Sequence, residues 1–169
     1  MAAEVSEPDA DERGPTVQVV EFTVAGERFA VDVHDVDSME GLTELTRVPR
    51  TSDAIDGVMD LRGEITAVID PRVHLDVDET ASEDEQQVLV LDQTADKQKL
   101  GLRVDSVDGV EEYPESSVVD VEEFDELDSA GVRDRAIGAI VKAPSPDSEF
   151  DPVGVIDVVE IIDRSRRGR

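Results

Sequence analysis

Apolar residues recurring at every second position, broken by short glycine-containing turns, limit this chain to half-buried β-strands over most of its length. Val20, Phe22 and Val24 alternate with Glu21 and Thr23. Ala25-Gly26-Glu27 turns the chain, and Phe29, Val31 and Val33 then alternate with Arg28, Ala30 and Asp32. Residues 55–61 and 64–69 form a second such pair around Arg62-Gly63. Strands are also predicted at 87–91, 100–104, 107–113, 136–141 and 152–156, with weaker extended segments at 36–42 and 44–48, the latter closed by Pro49. Pro71 permits a short helical turn to Leu75, and 158–162 reads as a short helix. Phe124 and Leu127 lie in an acidic connection expected to be partly helical. Aromatic residues make up 3% of the chain, so the core must be assembled from Val, Ile and Leu, types suited to a pleated surface.

Charge restricts partners and solvent. The 43 acidic residues against 16 lysines and arginines give a formal charge of −27. Two like charges about 10 Å apart repel by roughly 0.4 kcal/mol in water. Screening leaves about a third of this at 0.1 M salt and a few per cent at 1 M. Such a chain suits a salt-rich cytoplasm and is expected to lose structure in dilute buffer. The same field repels nucleic-acid phosphates and anionic lipid heads, so neither nucleic acid nor direct membrane binding is expected. Met1 to Pro8 lacks the basic and apolar parts of a secretion signal, and no run approaches the roughly 18 apolar residues of a membrane span. A soluble, cytoplasmic protein is the expectation.

Two stretches repeat each other. Phe29 to Met39 aligns without gaps on Leu100 to Val110, matching Phe29 with Leu100, Val31 with Leu102, Val33 with Val104, Val36 with Val107 and Met39 with Val110. Ala67-Val68-Ile69-Asp70 resembles Gly154-Val155-Ile156-Asp157, and each precedes a helical pattern. A repeat of this kind predicts an all-β chain of two small barrels with a groove between them. The expected organisation is a disordered acidic segment at 1–16, a folded region at 17–163 and a basic tail at 164–169. Within the folded region the first barrel covers about 17–78 and the second 86–163, with terminal strands free to exchange between them.

Catalytic constellations are missing. There is no cysteine, which excludes disulfides and thiol chemistry. His34 and His74 stand in dissimilar contexts without a second ligand at metal spacing. No phosphate-cradling glycine loop is present, and the acidic stretch 76–85 lacks the spacing that wraps calcium. No cofactor or metal is expected, and a binding module is the better reading. A halophilic β-barrel enzyme or small-ligand binder is the alternative.

The run Gly57-Val58-Met59-Asp60-Leu61-Arg62-Gly63-Glu64-Ile65-Thr66-Ala67-Val68-Ile69-Asp70 resembles the CheW-like family, the coupling proteins of prokaryotic chemotaxis. Phe22 to Val31, Val48-Pro49, Gly101 to Val107, Ile137 to Ile140 and Val155 to Asp157 extend the resemblance over about residues 17–163. Asp60, Ala67 and Pro71 depart from the family's usual Asn, Pro and Leu. The resemblance, of haloarchaeal type given the charge, implies paired SH3-like five-stranded barrels with short helical turns. It also implies an adaptor joining the cytoplasmic tip of a methyl-accepting chemotaxis receptor to the regulatory domain of the histidine kinase CheA, and recruitment to receptor arrays. The family's receptor-contacting arginine matches Arg62, flanked by Leu61 and Gly63. Its kinase-facing region falls on Val36, Ser38 and Met39, with Gly57. An arginine at a tight turn can present a planar fork of donors to a carboxylate, which lysine cannot do.

Overall fold

A computed structural model describes residues 14–49, 54–73, 75, 86–92, 99–120, 136–147 and 149–166, with side chains to 163. The expected features of the lead-in before residue 14, the acidic connections at 76–85 and around Phe124 and Leu127, His74 and the tail side chains lie outside these residues. The described chain forms eleven strands: β1 (Thr16–Val24), β2 (Glu27–Asp32), β3 (Val36–Gly41), β4 (Ile55–Leu61), β5 (Glu64–Ile69), β6 (Gln87–Leu91), β7 (Lys99–Val104), β8 (Ser106–Pro114), β9 (Val118–Asp120), β10 (Ile137–Ala143) and β11 (Asp151–Ile156). Helix α1 (Val158–Arg166) closes the described region, and 3-10 turns occupy Val33–Asp35, Pro71–Val73 and Glu115–Ser117. The weak segment 44–48 contributes a single bridge, Thr46 to Val58, rather than a strand.

The strands assemble into a six-stranded sheet ordered β8-β1-β2-β11-β10-β9 and a five-stranded sheet ordered β3-β6-β7-β5-β4. These sheets cut the chain differently from a division into 17–78 and 86–163. The first hairpin, β1–β2, sits among strands from the second half, and β6–β7 sits among strands from the first. Each half thus lends its leading hairpin to the other. The short links explain this. A single residue, Asp105, joins β7 in one sheet to β8 in the other, so the chain must cross between sheets there.

Matching pairings make the repeat three-dimensional. Parallel pairing places Gly154 opposite Phe29 and Val155 opposite Ala30, while Ala67 faces Leu100 and Val68 faces Gly101. Both sheets carry a bulge at the same point. The register slips between Val36 and Ser38 against β6, and between Glu21 and Phe22 against β8. A second pair of bulges follows Ile55 and Ile137. The backbone N–H groups of Asp70 and Asp157 donate to the carbonyls of Ala54 and Ala136, each at 2.7 Å.

Three apolar clusters hold the sheets. The largest lies between them and joins Phe22, Phe29 and Val31 of one sheet to Ile69, Leu89, Leu91 and Leu102 of the other, with Ile161 and Ile162 of α1. The groove expected between the barrels is therefore filled at its centre. Burial of each such side chain contributes about 1.5–3 kcal/mol, so this seam dominates cohesion. The six-stranded sheet curls around Val19, Ala30, Val141 and Val153, and the five-stranded sheet around Met59, Val68, Val88 and Val90. Strands buried on both faces defeat a simple inside-outside reading of alternation. Glu21, placed outward by pattern, is only 4% exposed. It accepts a hydrogen bond from the Tyr113 hydroxyl, with Arg28 Nε 3.7 Å from its other oxygen.

Candidate docking surface

The β4–β5 connection has two residues, Arg62 and Gly63, with φ of 54° and 89°. Positive φ at both central positions is what a tight type I′ hairpin turn requires, and glycine occupies the second at little cost. Asp60 Oδ1 accepts the Gly63 N–H at 2.8 Å. A carboxylate serves this purpose as well as an asparagine oxygen, which accounts for one departure from the family pattern. Leu61, also assigned to the site by sequence, packs partly buried against the core of the five-stranded sheet and anchors the turn. The Arg62 side chain remains 81% exposed, with Nη2 3.2 Å from Oε2 of Glu40 on β3.

That ion pair joins two predicted regions that are far apart in sequence. Glu40 follows Met39, which is 50% exposed and pairs with Leu89 of the inter-sheet core. Val36 is half-buried against the same core, and Ser38 is half-buried between them. Lys99 on β7 reinforces the connection, lying 3.3 Å from Asp37 and 3.8 Å from Glu64. These ion pairs tie the β4–β5 turn, which carries Leu61, Arg62 and Gly63, to β3, the strand that carries Val36, Ser38 and Met39. Gly57 is placed differently. It is buried on β4, and a Cβ there would stand 2.7 Å from the Thr46 carbonyl oxygen. Its missing side chain lets the 46–47 backbone approach β4 and exchange two 2.9 Å hydrogen bonds with Val58.

Sequence reasoning did not single out Glu40, since one acid among 43 carries no signal. It also missed a polar network elsewhere on the same five-stranded sheet. Arg72 bonds bidentately to Asp70 at 3.0 and 2.9 Å, while Arg103 reaches Asp56 at 2.7 Å and Gln86 at 2.6 Å. Hydrogen bonding to Asp70, opposed by burial, raises the Arg72 pKa above its ordinary value. Among the described residues, no group of three or more His, Asp and Glu side chains is arranged to hold a metal ion. No helix among them is long and apolar enough to cross a membrane.

Two curled sheets, with an exposed arginine on a tight turn paired to a neighbouring strand, define a β-barrel module. A family model described as CheW-like domain matches residues 18–165, and the chain belongs to that family. It is 36% identical over 74 residues to chemotaxis protein CheW of Bacillus subtilis, covering 44% of this chain and 47% of the relative. Against chemotaxis protein CheW of Klebsiella aerogenes the identity is 33% over 89 residues, covering 53% and 52%. The chain spans about half the length of these curated relatives. Its fold matches the crystal structure of scaffolding protein TtCheW from Thermoanaerobacter tengcongensis with a TM-score of 0.68, at 24% identity, covering 85% of this chain and 90% of that one.

Proposed function

We propose that this chain is a chemotaxis adaptor of haloarchaeal type, which couples the cytoplasmic tip of a chemoreceptor to the regulatory domain of the histidine kinase CheA. Membership of the CheW-like family supports the adaptor role. The observation that supports the finer reading is the Arg62–Glu40 pair, which ties a mostly exposed guanidinium to β3, the strand that also carries exposed Met39. In this reading Arg62, on the turn framed by Leu61 and Gly63, meets the receptor, while Val36, Ser38 and Met39 meet the kinase. Gly57 supports the surface from beneath. Apolar contacts at such an edge supply affinity, and the charged rim sets register. The adaptor works in a salt-rich cytoplasm and gathers at membrane receptors through its partners.

Arg62 suits substitution as a test because an exposed ion pair contributes at most about 1 kcal/mol to folding. Capture of a receptor-tip fragment and of the CheA regulatory domain is measured in molar salt. Arg62→Glu is expected to lose the receptor and retain the kinase, and Met39→Asp the reverse, with unchanged circular dichroism. Receptor capture unaffected by Arg62→Glu overturns the receptor assignment. Kinase capture unaffected by Met39→Asp overturns the other.

A further inference from the structure

The shared registers make the two halves templates for each other. The equivalence of Leu100 and Phe29, which face Ala67 and Gly154, makes Asp32 the counterpart of Arg103, three residues further along each strand. The equivalence of Ile55 and Ile137 makes Gly138 the counterpart of Asp56. Asp157 corresponds to Asp70, and therefore Val159 to Arg72. In the first half this seam is occupied by two arginines on their carboxylates, Arg72 on Asp70 and Arg103 on Asp56.

In the second half both arginine positions lack a cation, and the same seam is an open cleft of about 220 Å³. Asp32, Asp35, Gly138, Ala139, Asp157 and Val159 are among its lining residues. Val159 is 74% exposed, an apolar surface at the place where the Arg72 stem begins in the other half. Asp157 Oδ1 caps α1 through the Glu160 N–H at 3.1 Å, much as Asp70 Oδ1 accepts the Arg72 N–H at 3.0 Å. Asp70 also takes the arginine fork, whereas Asp157 has no Lys or Arg partner among the described residues. Asp32 bonds the His34 backbone and ring at 2.8 and 2.9 Å. Burial, then the charge of Asp32, raises the pKa of Asp35, with His34 opposing and Asp157 and Asp92 adding to the rise.

We propose that this cleft receives an arginine side chain of a partner protein, its guanidinium on Asp157 and Asp32 and its stem on Val159. The occupant is thus the group that the other half supplies from its own chain. Arginine suits the site better than lysine, because a planar fork matches a carboxylate bidentately while a weakly hydrated, apolar stem covers Val159. The proposal is independent of the receptor and kinase assignments.

The test is titration of the full chain, in the salt that keeps it folded, with the peptide acetyl-Ala-Arg-Ala-amide, following backbone amide shifts by NMR. Saturable shifts are expected at Gly138, Ala139 and Val159, with binding at least about threefold weaker for the lysine peptide. Asp157→Asn retains a good helix cap and is expected to weaken binding about tenfold. Val159→Arg, on an exposed position, is expected to fill the cleft from within and abolish the shifts. Absence of saturable shifts, equal binding of the lysine peptide, or full binding to either variant overturns the proposal. So does displacement of the peptide by Mg²⁺ producing the same shifts, which would mark a site for any cation. Concentration-dependent shifts of the free protein that vanish on removing residues 164–169 would make a second copy the occupant and overturn the assignment to a partner.

Discussion

Replacing Gly57 by alanine separates a packing role from a docking role. The added Cβ would stand 2.7 Å from the Thr46 carbonyl oxygen and 3.1 Å from its carbonyl carbon, both rigid backbone atoms. An ordinary carbon–oxygen contact is roughly half an ångström or more longer, because dispersion minima lie beyond about 3 Å. The 46–47 segment must retreat by that amount. Its two 2.9 Å hydrogen bonds with Val58 would then exceed the usual limit of about 3.2 Å. Loss of two such bonds costs about 1–3 kcal/mol, and loosening of Leu45 against the Met59 cluster acts in the same direction. A chain of this size has a urea slope of about 2 kcal/mol per molar, so the midpoint should fall by roughly 0.5–1.5 M. The assay is urea unfolding followed by circular dichroism at constant molar NaCl; guanidinium chloride would change the ionic strength. A midpoint within about 0.2 M of the parent would refute the close approach of Thr46. Lost kinase capture at unchanged stability would give Gly57 a direct contact role.

Other expectations follow from buried polar groups and from charge. Thr66 is 1% exposed and its hydroxyl has no hydrogen-bond partner among the described residues, so Thr66→Val should raise stability by about 1 kcal/mol in the same assay. Tyr113→Phe removes the hydroxyl that donates to buried Glu21 and should cost about 1–3 kcal/mol. The Tyr113 pKa is raised from 10.0, first by burial and then by its hydrogen bond to Glu21. A raised folded pKa means its contribution is complete below the unfolded value and is lost as pH rises beyond about 10. With one tyrosine and no tryptophan in the chain, phenolate absorbance isolates this group. Its appearance near pH 10 with the fold intact would contradict the burial. At a formal charge of −27, dialysis into a few millimolar salt should melt the native circular dichroism, and an unchanged spectrum would refute salt-dependent folding.

The sequence by itself determined the local elements and the presence of a repeat. Alternation around Ala25-Gly26 and Arg62-Gly63 places two hairpins, because period two and the demand for positive φ are properties of a few adjacent residues. The match of 29–39 to 100–110 reappears as identical registers and bulges. Only tertiary structure decided which sheet each hairpin joins, since a strand's pattern specifies a buried face and not the partner that buries it. For that reason the leading hairpins exchange between halves, and Glu21, patterned like a surface residue, is buried beside Tyr113. The pairing of Arg62 with Glu40 likewise depends on how the five-stranded sheet curls, bringing the β4–β5 turn to β3 from the opposite edge of the strand order. The contrast between a seam filled by Arg72 and Arg103 and an open one beside Asp157 became visible only when long-range pairing aligned the halves in space.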